Sequence, residues 1–598
     1  MSEAKTQSRI SRRSFITAAG AGVVAGAVVG VGGTVAVAKM AGTSSGSGLP
    51  TNWDKTADVV VVGSGMAAFS AAVTAASKGS SVIMLEKATI YGGTTAKAGN
   101  WWIPNNSFMQ KAGLSDPKPD ALKYMARLSY PTLYDPSSPT LGLAQSEYSL
   151  LETYYDTASV AVDALGTLGA PSAPSGWAIG PDGKFQQPAG RQTPDYHADL
   201  PEDKAPYGRD LSAANGGSGA AMIKQFKPVA DKYKIPLLLE HRVTKILRNS
   251  TGQVVGVEAS HGNSTVAVRA QKAVVFGSGG FTHNPEMRRN YLRGPIFGGC
   301  AVPSNTGDFV AMGIEVGAAL GNMNNAFWAQ NAFEQTQQNT SVPNDLWLPF
   351  GDSMVQVNKY GRRVANEKMV YNERTQSHFY WDATHTEYPN LLLFMIYDDH
   401  VASNPSTFAF RDPIPLPGVV SPLVVSGATW EELATNLDAR LAKYATVTGG
   451  LKLDANFVSN LQGTIGRFNS FAEAGKDPEF GRGETPIQIA WSGTTKDQNR
   501  PNNTKNPTMY PFADNGPYHA ILIGGGTLDT KGGPKINAKA QVIDPAGKAI
   551  AGLYGAGNCI ASPAAQAYWS AGGTLGPALT FGYIAGLNAS QEPVKELK

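Results

Sequence analysis

The feature that most constrains this chain is a run of apolar residues that ends in glycines. Val59 to Val62 are four β-branched residues in succession, as expected of a strand buried on both faces. Gly63, Gly65 and Ala68 follow and fill a G-x-G-x-x-G/A pattern. The first glycine allows a tight turn, and the second lets backbone N–H groups of Gly63, Ser64, Gly65, Met66 and Ala67 approach a pyrophosphate. The small third residue lets the next helix lie close to the sheet. Helix formers run from Met66 to Ala76, so a helix N-terminus aims its positive end at the same place. A second strand, SVIMLEK, brings Glu86, with Lys87 beside it, 23 residues past Gly63, where a carboxylate accepts hydrogen bonds from a ribose. Strand, turn, helix and acid together predict an α/β fold with a Rossmann-like dinucleotide-binding domain.

Two later stretches read as parts of the same domain. LEHRVTKILR, VVGVEAS and QKAVVFGSGGF give two alternating strands and a buried strand that ends at Gly277, Gly279 and Gly280. AIAGLYGAGN is another strand ending in glycines, with Gly557 beside Asn558, and GGTLGPALTFGYIAGLNA is a helix rich in small residues. The pair Gly92-Gly93, six residues past Glu86, supplies a second backbone approach along an extended cofactor. An interrupted domain with these parts points to FAD. Between 304 and 512 aromatics, Asn and Pro rise and the pattern becomes mixed, as in an α+β substrate (capping) domain. The expected organisation is a leader at 1–38, a linker at 39–54, FAD-binding segments at 55–303 and 513–590, and a capping domain at 304–512. A cleft between two such domains is a usual place for a ligand.

The charge sits at one end. Residues 1–38 hold Lys5, Arg9, Arg12 and Arg13 against Glu3, which accounts for the whole formal charge of +3. The remainder is neutral overall and offers no field for nucleic acid. SRRSFI, a Gly/Ala/Val stretch to Ala38 and the small-residue site Ala36-Val37-Ala38 resemble a twin-arginine export signal read by the twin-arginine translocase. The expected location is therefore periplasmic or otherwise extracytoplasmic. An uncleaved membrane anchor is the alternative, because the stretch is nearly long enough to span. Two cysteines, Cys300 and Cys559, give neither a disulfide framework nor a metal spacing, and the eight histidines are scattered, so no metal is expected.

The pieces GSGMAA, GGTTAKAGN, AVVFGSGGFTHNPEM, NTGD, GRRVANE and GLYGAGN resemble the flavoprotein superfamily of soluble fumarate reductases and 3-ketosteroid dehydrogenases. The resemblance implies noncovalent FAD, since no histidine stands in GGTTAKAGN. It also implies cofactor contacts from Thr94, Thr95, Ala98, Gly99, Val243, Asp308, Gly573, Thr574 and Leu575. Fumarate-reducing members use an arginine four residues after the N-E pair, a second late arginine and a histidine. Here those places hold Tyr371, Ser570 and Ile521. Without cations, burying two carboxylates is costly, so a dicarboxylate is not the expected substrate.

The same places are similar to 3-ketosteroid Δ1-dehydrogenases. Tyr371 follows Asn366-Glu367, Tyr568 precedes Gly572 in GGTLGPALTFGY, and Pro194-Asp195-Tyr196 supplies a P-D-Y tripeptide. The resemblance implies a steroid ketone as substrate and roles for four residues. Tyr371 would remove the α proton, Tyr196 would assist it, and the Tyr568 hydroxyl with the Gly572 N–H would hold the ketone oxygen. Ser570, two residues past Tyr568, is reminiscent of the Δ4-(5α) branch, so the regiochemistry stays open. So does the direction: a periplasmic reductase of enones or unsaturated acids is the alternative. The electron acceptor is unknown, with quinone and cytochrome as candidates. Any tyrosine taken blind is more often a packing residue, and Trp101, Trp102, Trp328 and Trp569 are candidates to line an apolar pocket, although each alone is more often core. Arg362-Arg363 read as a solvated or ion-paired turn.

Overall fold

The computed structural model describes residues 48–111, 113–171, 194–212, 219–406, 411–490 and 505–598, with two short strands at Ala178–Ile179 and Phe185–Gln186. The leader at 1–38 and the linker as far as 47 lie outside the described residues.

Parallel pairing builds the first sheet. Lys55–Val62 lies between Val82–Leu85 and Ser264–Phe276, and Ser264–Phe276 pairs in turn with Ala549–Gly555. Leu237–Leu238 extends one side, and Gln541–Ile543 closes the other in antiparallel sense. Arg242–Arg248 and Val254–His261 form a meander with the start of Ser264–Phe276. Val59, Val60 and Val61 are fully buried, as a β-branched run in a parallel sheet requires. Helix Met66–Ser77 packs against the last helix, Leu575–Gln591. Small residues make that approach possible: a Cβ on Gly582 or Gly586 would fall 2.4 and 2.3 Å from the carbonyl oxygens of Ala67 and Ala71.

The second sheet has one long spine, Tyr518–Thr530. Its first half pairs with Leu392–Asp398 and Val424–Gly427, and its second half with Ala326–Ala332 and Gly298–Gly299. Met354–Val357 completes it against Leu392–Asp398. This sheet membership moves the expected boundaries. The sequence reading places residues from 513 on in the nucleotide domain and residues up to 303 likewise, yet Tyr518–Thr530 and Gly298–Gly299 belong to the second sheet. The apolar run ILIGGG imitates a strand that ends in a glycine turn. Its glycines instead stay within the ladder, where the Phe297 ring leaves no room for a side chain at Gly524.

The four tryptophans expected to be core are core. Trp102 stacks on Tyr124 and Tyr154 and lies 5.4 Å from Trp569, and Trp101 and Trp328 are fully buried.

Candidate active site

One cavity of about 670 Å³ runs from the glycine turn of the first sheet to the second sheet. All the residues expected to hold the cofactor line it except Gly92, Gly280 and Gly573. Those three serve the fold beside it. Gly92 donates its N–H to the Ser64 hydroxyl at 3.0 Å, and Gly280 donates to Asp529 at 3.0 Å. Gly573 donates to the Ser570 carbonyl at 2.9 Å. A glycine pattern in sequence does not separate glycines that face a ligand from neighbours that make the turn possible.

The cavity fits an elongated dinucleotide. At one end Glu86 accepts from the Ser64 hydroxyl at 2.6 Å and from the Ala88 N–H at 2.8 Å, which fixes its carboxylate in place. Thr95 accepts the Met66 N–H at 3.0 Å and pins the loop to the first helix. In the middle Asp529 gathers the side chains of Asn305 (2.6 Å) and Asn558 (3.1 Å), both of which line the cavity. Asp308 is held by Lys87 at 2.8 Å and Arg242 at 2.9 Å. At the far end the last helix begins at Leu575, so its positive end meets whatever lies there. Asn305, Cys300, Trp347, His241 and Asp529 also line the cavity and escaped the sequence reading. They lie on loops or at strand ends, where no period marks them.

At the far end three phenols meet. The Tyr196 and Tyr371 hydroxyls are 2.7 Å apart. The ring of Tyr568 lies 5.4 Å from each of the other two, and Phe327 packs on Tyr568 at 5.2 Å. All three tyrosines are buried and line the cavity together with Gly572. Gly572 adopts φ +85°, and a Cβ there would stand 2.5 Å from the backbone of Trp101 and Trp102. Only glycine fits this turn. Burial raises all three phenols above their ordinary value, Tyr196 and Tyr371 furthest. Among the described lining residues there is no arginine. Ser570 is buried off the cavity, and Ile521 sits in the core of the second sheet.

Two buried ion clusters hold the tyrosines from behind. Asp195, next to Tyr196, accepts from Arg209 at 2.7 Å and from the Trp102 indole at 2.8 Å. Arg209 also pairs with Asp116 through two hydrogen bonds, at 2.6 and 2.9 Å, and with Asp203 at 2.8 Å. Burial and the neighbouring Asp203 charge push Asp195 up to about 7. Four residues before Tyr371, Glu367 pairs with Arg363 at 2.7 Å and with Arg482 at 3.2 Å, and Arg363 reaches Asp477 at 2.8 Å. Of the expected arginine turn, Arg362 is exposed and Arg363 is buried. Arg374, one helical turn on from Tyr371, donates to the carbonyls of Met369 and Leu346 at 2.5 and 2.8 Å.

The family profile of the FAD binding domain matches residues 58–575. The chain belongs to this family. FAD is its cofactor, and the cavity above is shaped to take it. The 3-oxosteroid 1-dehydrogenase of Mycolicibacterium smegmatis is 30% identical over 587 residues, which cover 89% of this chain and 96% of that one. The 4-oxocyclohexanecarboxylate 2-dehydrogenase of Sinomonas cyclohexanicum is 28% identical, covering 89% and 92%. Among solved structures, the 3-ketosteroid Δ1-dehydrogenase of Sterolibacterium denitrificans in complex with 1,4-androstadiene-3,17-dione matches with a TM-score of 0.72 at 25% identity, covering 90% of this chain and all of that one. This places the chain with the ketosteroid dehydrogenase and fumarate reductase flavoproteins, as an FAD-dependent oxidoreductase. The resemblance carried by Tyr371, Tyr568 and Gly572 led to the same family.

Proposed function

We propose that this protein desaturates a ring next to a ketone, in the manner of a Δ1 desaturation of a 3-ketosteroid. The observation that carries the reading is the meeting of three buried phenols and Gly572 at the far end of the cofactor cavity, with no arginine on its described walls. Both curated relatives above are named for ketones in six-membered rings, which supports the same substrate class.

The chemistry follows from the groups present. A proton on the α carbon is barely acidic until the ketone oxygen is held by donors. The Tyr568 hydroxyl and the Gly572 N–H supply them, and losing one such donor costs roughly 100- to 1000-fold in rate. Tyr371 takes the α proton. Its phenol lies above the ordinary tyrosine value, so charge must be spread as the proton moves. Tyr196, 2.7 Å away, donates to the Tyr371 oxygen as that charge forms. The β carbon loses its hydride, for which FAD supplies the acceptor when bound. One C=C bond forms, and two electrons leave for an external acceptor, a quinone or a cytochrome. The apolar side chains of Phe327, Trp347 and Leu528 pack around the tyrosines and keep water from the reacting carbons. We place the enzyme outside the cytoplasm by the twin-arginine route, a reading supported by Arg12-Arg13, Phe15 and the apolar stretch to Ala38.

The test is product analysis. Holoenzyme is incubated with a saturated and a 4-ene 3-ketosteroid and with 4-oxocyclohexanecarboxylate, each with an artificial acceptor. A product two mass units lighter, with the new double bond beside the ketone, is the expected result. If no ring ketone is desaturated and the reduced enzyme instead saturates enones, the direction is the reverse.

A further inference from the structure

We infer that Lys531 is a positioning residue for Tyr568: it aims the phenol that holds the ketone oxygen, and it serves the reaction rather than the fold. The inference deepens the function proposed above and rests on it.

Tyr568 differs from Tyr371 in what fixes its backbone. Tyr371 opens the short helix Tyr371–Thr375, while Tyr568 lies on the irregular stretch between Cys559 and Leu575, outside every helix and strand. Buried carbonyls on such a stretch need partners from elsewhere. Side chains from distant segments supply them. Lys531 Nζ donates to the carbonyl of Ala567, the residue before Tyr568. The Tyr124 hydroxyl donates at 2.6 Å to the carbonyl of Trp569, the residue after it. Asn372, next to Tyr371, reaches the Gln566 carbonyl at 3.5 Å.

Lys531 stands apart from the other two because it meets Tyr568 by a second route. Its Nζ lies 4.3 Å from the centre of the Phe327 ring, and that ring packs edge-on against the Tyr568 ring at 5.2 Å. One amine thus braces both the backbone and the ring of Tyr568. The brace is itself anchored. The Lys531 N–H donates to the Asn325 carbonyl at 3.0 Å, and the Lys531 carbonyl accepts the Ser562 N–H at 2.9 Å. The ladder between Ala326–Ala332 and Tyr518–Thr530 is irregular between Phe327 and Trp328. Irregularities of this kind re-aim a side chain beside a site.

Stability alone does not call for an amine here. Lys531 is fully buried. Burial pushes its amino group well below the ordinary lysine value; the Glu373 charge opposes that shift and the Arg293 charge adds to it. Methionine has nearly the same length and carries no such desolvation cost. What methionine lacks is an N–H for the Ala567 carbonyl. Charged or neutral, the lysine supplies one.

The test is a double-mutant cycle on holoenzyme, read by stopped-flow reduction of the flavin with a ring ketone that the intact enzyme desaturates. Lys531→Met is expected to slow flavin reduction about 10- to 100-fold, the usual result of misplacing a group by a fraction of its length. Its substrate dissociation constant should change by less than about threefold, because the lost interaction belongs to the transition state. Its melting temperature should stay within about 4 °C of the intact enzyme, with FAD bound. Tyr568→Phe is slower still, and adding Lys531→Met to it costs no more than about twofold further, since both changes remove the same interaction. Lys531→Gln, which keeps an N–H, should recover part of the lost rate. A Lys531→Met variant as fast as the intact enzyme overturns the inference. So does a double variant whose loss is the product of the two single losses, because the lysine then acts elsewhere. A Lys531→Met variant that sheds FAD or melts more than about 4 °C lower assigns the lysine to the fold and overturns it too. Failure of the function proposed above looks different: the flavin of the intact holoenzyme is then reduced by no ring ketone, and the inference falls with it.

Discussion

The two ion clusters behind the tyrosine pair are alike in burial and opposite in balance. Behind Tyr371, two guanidinium groups, Arg363 and Arg482, face two fully buried carboxylates, Glu367 and Asp477, with the partly exposed Glu479 3.6 Å from Arg363. Behind Tyr196, one guanidinium, Arg209, faces three. Burial alone pushes Glu367 up, but its two arginines more than offset it and hold it below the ordinary carboxylate range. Asp195 has one third of an arginine and is pushed up to about 7. What decides the charge of a buried acid here is the count of cations around it rather than depth. One support is a fixed ionic clamp. The other holds Asp195 well above the ordinary carboxylate range, and the Tyr196–Tyr371 hydroxyl pair bridges the two.

The comparison can be broken most severely at the hydroxyls themselves. Tyr371→Phe is expected to lower kcat by about 100- to 10,000-fold, the usual worth of a general base, while FAD stays bound. Tyr196→Phe keeps the base and loses only its donor, so its loss should be closer to tenfold. Stopped-flow flavin reduction reads both, and equal losses would erase the distinction between the arms. In Tyr371-intact enzyme kcat/KM should keep rising with pH above neutrality, because the buried phenol sits above its ordinary value.

The next effect is on stability. Glu367→Gln leaves Arg363 and Arg482 short of an anion and should cost about 3–5 kcal/mol, the usual result of breaking a buried pair from one side. Denaturant unfolding checks it, and a loss below about 1 kcal/mol would refute the clamp. The smallest effect is Asp195→Asn. It removes surplus negative charge and should cost no more than about 1 kcal/mol at pH 7. The sign with pH is definite. The folded state holds Asp195 protonated where the unfolded chain ionises, so stability falls as pH rises from the ordinary value of 3.8 to about 7 and levels off above. Asp345 titrates in the same window, so Asp195→Asn should make the slope shallower without removing it. A slope unchanged in the variant would mean that Asp195 stays ionised.

Local chemistry was legible in the sequence and long-range chemistry was not. Val59 to Val62, Gly63 and Glu86 announce a strand, a turn and an acid within one short stretch, because each effect is local. Tyr371, Tyr568 and Tyr196 were found through motif resemblance, and no periodicity marks them. Arg209 was missed altogether. Its partners Asp116 and Asp195 lie 93 and 14 residues away, and nothing nearby in sequence says that they converge. The sequence reading included the spine Tyr518–Thr530 in the FAD-binding segment 513–590 for a related reason. A buried strand looks the same in either sheet until its neighbours are known.

The first sheet takes its centre from residues 55–62 and a neighbour from 549–555, and the helix that starts at Leu575 closes the pocket. A ribosome must therefore translate from residue 55 through at least residue 575 before the yellow pigment can be captured. A prematurely terminated product stays colourless, so visible absorbance at purification doubles as a check that synthesis ran past the final helix.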